Sequence, residues 1–69
     1  MKTLDVVALT KDIPEKHLRR GQVGTVVEPL AGGVLEVEFS DLDGIAYAMC
    51  AVPDSALMVL YHSPEAIAA

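Results

Sequence analysis

The sequence predicts an all-β chain folded as a small, strongly bent five-stranded barrel. Three observations carry that reading. Apolar and polar residues alternate over Val34-Leu35-Glu36-Val37-Glu38-Phe39-Ser40, the period-two pattern of a strand with one face buried. A glycine stands inside the β-branched run Gln22-Val23-Gly24-Thr25-Val26-Val27-Glu28. Glycine in a strand interior marks a bend, a bulge or the close approach of another backbone, and a barrel of few strands needs such bends. Turn chemistry then recurs at short intervals, at Pro29-Leu30-Ala31-Gly32-Gly33, Asp41-Leu42-Asp43-Gly44 and Pro53-Asp54-Ser55-Ala56.

The elements follow in order. Leu4 to Thr10 is β-branched and apolar and reads as a first strand. Lys11 to Arg20 is polar, contains Pro14, and holds two isolated apolar residues, Ile13 and Leu18. It reads as a long loop pinned to the core by those two side chains, with a turn of helix from Pro14. Gln22 to Glu28 is the second strand, and the Gly32-Gly33 pair allows the positive φ that a tight hairpin demands. Val34 to Ser40 is the third strand, with Leu35, Val37 and Phe39 facing the core. Gly44 closes the next turn, and Ile45 to Val52 returns as the fourth strand, with Ala46, Ala48 and Cys50 on a small-residue face and Ile45, Tyr47 and Met49 on a larger one. Pro53 to Ala56 is expected as a 3-10 turn, and Leu57 to Tyr61 as the last strand. Residues 1–62 form one barrel domain and 63–69 a weakly ordered tail. Five strands, a long first loop and a 3-10 turn before the final strand make the order of an SH3-like barrel.

Size and composition restrict the chemistry. A chain of 69 residues buries only about 60% of its unfolded surface, which leaves no room for a cleft between lobes. Its one cysteine, Cys50, cannot form an internal disulfide, which suits a reducing cytoplasm, and its apolar neighbours give it the character of a buried small hydrophobe. No apolar run reaches the roughly 20 residues of a membrane helix, and Asp5 interrupts any signal-peptide pattern. A soluble cytoplasmic protein is expected. His17 and His62 stand alone without a Cys-x-x-Cys, so zinc is not expected. Asp41-x-Asp43-Gly44 is a fragment of a calcium loop without the downstream bidentate Glu. No nucleophile elbow, triad context or phosphate-cradling loop is present. The chain therefore reads as a non-enzyme without cofactor or metal.

Two resemblances extend this reading. Residues 20–44, through Gly21, Val23, Gly24, Val26, Val27, Val37, Glu38 and Phe39, resemble the KOW-type branch of SH3-like barrels, whose members bind RNA or proteins. Residues 3–62 resemble a family of short bacterial proteins of unknown function, frequent in cyanobacteria. The matching segments are Leu4-Asp5-Val6-Val7-Ala8-Leu9, Asp12-Ile13-Pro14-Glu15, Arg20 to Glu28 and Val37 to Gly44. That second resemblance implies an SH3-like fold and, through neighbouring toxin genes thought to accompany some members, an antitoxin or immunity role.

Charge decides between partners. Residues 11–20 hold Lys11, Lys16, Arg19 and Arg20 against Asp12 and Glu15, a net +2; elsewhere Lys2 faces eight acids, a net −7, and the chain carries −5 overall. Such an acidic body repels phosphate backbones. It also lacks Trp, the aromatic best suited to stacking on bases or forming a proline-peptide groove. Tyr47 and Tyr61 are expected to pack in the core with their hydroxyls reaching solvent. The candidate contact residues are Glu36, Glu38, Asp41 and Asp43, with Glu28 near them, as a strip for a protein partner with a basic surface. Lys16, Arg19 and Arg20 form a second candidate surface. The expected function is a protein–protein interaction module, antitoxin-like or regulatory. A KOW-like RNA binder and a subunit self-associating through an uncovered edge strand are the alternatives.

Overall fold

The computed structural model describes residues 1–41 and 43–61. The expected tail 63–69, with His62, and Leu42 of the Asp/Gly turn lie outside the described residues. Five strands form one antiparallel sheet: β1 (Val6–Leu9), β2 (Val23–Pro29), β3 (Val34–Ser40), β4 (Ala46–Pro53) and β5 (Leu57–Tyr61). Short 3-10 turns occupy Pro14–Lys16, Ala31–Gly33 and Asp54–Ala56. The bounds of β3 and β5 are those the sequence predicts. β1 is shorter than the expected Leu4 to Thr10, because Leu4 sits at φ 74°, outside the extended region a strand requires.

The strand order is β4-β3-β2-β1-β5. Among the described residues β4 and β5 each have one hydrogen-bonded neighbour, so the sheet they form is open and the expected closed barrel is corrected on that point. Leu18, 2% exposed, joins the core, and Ile13 packs against it together with Ala48 and Cys50 of β4. Their backbones pair with each other, Ile13 N–H to Leu18 O at 2.9 Å and Leu18 N–H to Ile13 O at 3.1 Å. The first loop thus adds apolar side chains to the core. Burial of the loop's two apolar residues provides the anchoring that the sequence predicts.

The core gathers Val7 and Leu9 of β1, Val26 of β2, Leu35, Val37 and Phe39 of β3, Val52 of β4, Ala56, and Leu57 of β5. Alternation along β3 selects it directly. Gly24 pairs with Val7 on one side and Phe39 on the other. A Cβ there would stand 2.7 Å from Val37 Cγ1 and 2.8 Å from the Glu38 carbonyl oxygen, closer than any packed atom sits. Gly44 is needed for a different reason: its φ is 79°, in open space, so conformation rather than volume selects it.

The fourth strand presents its small face inward. Val52 is buried and Ala48 and Cys50 are half-buried, while Ile45, Tyr47 and Met49 are exposed. Tyr47 and Tyr61 are 48% and 50% exposed, which corrects their expected place in the core.

Candidate functional site

The outer face of β2, β3 and β4 is built by register. Glu38 pairs with Thr25 on one side and Met49 on the other, and Glu36 with Glu28 and Ala51. Paired residues project to the same face. Three carboxylates therefore share one surface, with Glu28 exposed and Glu36 and Glu38 half-buried between neighbouring strands. The β2–β3 register shifts between Val26 and Glu28, and this bulge brings Glu28 opposite Glu36. Like charges directly opposed across a strand pair are destabilising. The bulge thus sets two like charges at paired positions.

Asp41 and Asp43 stand beyond the end of β3 rather than on this face. Asp41 Oδ1 accepts the N–H groups of Asp43 at 2.9 Å and Ile45 at 3.0 Å. That side chain shapes the turn, whereas Asp43 is exposed.

Lys16, Arg19 and Arg20 are exposed on the first loop. The loop is held by its own polar contacts: the Arg20 N–H donates to Asp12 Oδ1 at 2.8 Å, and the Arg19 N–H to Gln22 Oε1. Gln22 Nε2 in turn donates to Tyr47 Oη at 3.0 Å, tying the loop's end to β4. Lys11 and Lys16 line a groove of about 350 Å³ with Ala51 and Pro53. Asp12 and Glu15 line the same groove, and Ala51 in its wall is paired with Glu36, so the basic and acidic candidates meet along β4.

Cys50 of β4 feels both Lys16 and Glu36. Burial pushes its thiol above the ordinary value, the Lys16 ammonium opposes that shift, and Glu36 adds to it. The resulting thiol favours its protonated, unreactive form. Among the described residues, no three of His, Cys, Asp and Glu converge to hold a metal ion. No helix among them is long and apolar enough to cross a membrane.

One buried charged residue escaped sequence reasoning. Asp5 is fully buried, and its Oδ2 accepts the Lys2 N–H at 2.9 Å. Its own backbone N–H reaches the Lys2 carbonyl oxygen at 3.0 Å, and its carbonyl accepts the Val26 N–H at 2.9 Å. Asp5 therefore fixes the entry into β1. A carboxylate flanked by Leu4 and Val6 at a strand's start was the available signal, since a charge survives burial only when it is partnered.

Fold and surface together define a small all-β domain that displays opposed carboxylates on an open sheet. The chain belongs to the DUF4926 family, a domain of unknown function, whose model matches residues 3–59. No curated protein and no solved structure matches the chain.

Proposed function

We propose that this domain is a cytoplasmic SH3-like interaction module, without catalysis of its own, that docks a protein with a basic surface on the outer face of β2, β3 and β4. The single observation behind this reading is the opposition of Glu28 and Glu36, with Glu38 beside them. Two carboxylates held face to face repel in the free protein, and a partner's Arg or Lys placed between them removes that repulsion on binding. The same field steers encounter with a cationic protein and disfavours nucleic acid. An antitoxin-like or immunity-like role, in which the face covers a basic toxin, is one form of this activity; regulation of a basic enzyme is another. The strand order and the 3-10 turn before β5 support the SH3-like assignment.

The test is capture of partners by tagged chain, in parallel with Glu36→Lys/Glu38→Lys and with Lys16→Ala/Arg19→Ala/Arg20→Ala. A partner retained by wild type and the loop variant, lost by the carboxylate variant and weakened by salt supports the proposal. Tight RNA binding at physiological salt that depends on Lys16, Arg19 and Arg20 overturns it in favour of a KOW-like RNA binder.

A further inference from the structure

We propose that the protein docked on the outer face presents a large apolar side chain beside its basic one, and that the apolar side chain enters a groove across β5, β1 and β2 next to Glu38. The inference rests on the docking proposed above and adds the chemistry of the segment that docks. The groove holds about 410 Å³ and is walled by Val6, Val23, Gly24, Thr25 and Tyr61, with Asp41 also lining it. Val23 is 44% exposed and Tyr61 about half. Exposed apolar surface bordered by polar groups marks an interaction site.

Register joins this groove to the carboxylates. Tyr61 pairs with Val6, Val6 with Thr25, and Thr25 with Glu38. The four therefore lie in one row across β5, β1, β2 and β3, on the outer face. In the next row Ala8 pairs with both Val23 and Met58, and Met58 is also about half-exposed. These rows carry no charge until β3, where the face turns acidic. Neighbouring strands lie about 4.8 Å apart, so Glu38 stands about 10 Å across the sheet from Val6. An apolar side chain seated against Val6 and Val23 leaves an adjoining Arg or Lys within reach of Glu38.

Charge complementarity makes that adjoining residue a cation. Asp41 is the one charged residue among the described residues lining the groove, and Glu38 borders it. The chain's own cations line other places. Lys11 and Lys16 share the groove at Ala51 and Pro53 with Asp12 and Glu15, and Arg19 lines a cavity with Asp12 and His17. Arg20 is exposed on the first loop, with its N–H held by Asp12. An apolar anchor in a pocket with polar contacts at its rim concentrates binding energy in few residues.

Titration of the isotopically labelled full chain with two synthetic peptides, followed through amide chemical shifts, tests the proposal. One peptide is arginine-rich and carries a phenylalanine; the other has serine in its place. The phenylalanine peptide is expected to bind about tenfold more tightly, shifting the amides of Val6, Val23 and Tyr61 together with Glu38. Val23→Gln and, on the same wall, Tyr61→Ser should each remove that advantage and leave the serine peptide's affinity unchanged, with folding checked by circular dichroism. Glu36→Gln/Glu38→Gln should weaken both peptides. Equal affinity for the two peptides, or binding of neither, overturns this inference; equal affinity that still depends on Glu36 and Glu38 leaves the carboxylate docking standing. Binding of the phenylalanine peptide that ignores Glu36→Gln/Glu38→Gln overturns the docking itself. Groove amides that move instead with protein concentration, or on Ile67→Ser, assign the groove to a second copy or to the chain's own last residues, and overturn the proposal.

Discussion

At Gly24 a single missing carbon lets β2 lie flat between Val7 and Phe39. A methyl there would overlap both a side chain and a backbone carbonyl, and the carbonyl cannot rotate away. Gly24→Ala is expected to lower unfolding free energy by about 1–3 kcal/mol, as overpacking does, read from the midpoint of urea denaturation. Cys50 supplies a second test at this scale. Its thiol is raised, first by burial, so the unfolded chain ionises before the folded one. The contribution to stability is therefore complete below the ordinary thiol pKa and is lost as pH rises through the folded value. Stability should fall over that alkaline window in wild type and not in Cys50→Ala. Labelling of the native thiol by a maleimide should be slow at neutral pH, and slower still in Lys16→Ala, since the ammonium is the one influence favouring thiolate.

Among the elements, the β2–β3 pair carries the clearest conflict between stability and binding. Replacing Glu36 by Lys turns an opposed like pair into an opposed unlike pair. The free protein should gain roughly 0.2–1 kcal/mol while losing its basic partner, and thermal unfolding with a binding assay on the same variant tests both halves. The first loop is the converse case. Leu18 is its deepest side chain, and Leu18→Ala should cost about 2–5 kcal/mol, measured in urea, although the residue belongs to no strand. Much of this was legible in the sequence. Period-two alternation gave β3 residue by residue, and Ile13 and Leu18 stood out as apolar anchors in a polar loop. The opposition of Glu28 and Glu36 was not legible, because it depends on a one-residue bulge at Val27 that no local pattern marks. The outward turn of Tyr47 was equally hidden. Alternation sorts residues into two faces, and only the packing of the whole core decides which of the two is inside. Asp5 was lost to the same limit, since its burial depends on backbone partners in Lys2 and Val26.

In the whole molecule, an acidic sheet and a cationic loop divide the surface between them. The strand order places β4 and β5 at opposite edges of the sheet. The same strand order also sets the sequence of folding events. β2, β3 and β4 follow one another along the chain and need only short turns to meet, whereas β1 must find β5 from the opposite end of the described residues. Closing the longer loop costs more chain entropy before any contact repays it. The central meander therefore forms early, and the β1–β5 seam zips last. In stopped-flow experiments Val37→Ala should slow folding, whereas Leu57→Ala should leave folding nearly unchanged and speed unfolding. A chain that assembles in this order passes through a moment when three strands are joined and the outer two are not, and the late seam, rather than the well-packed centre, then governs how long the native molecule lasts.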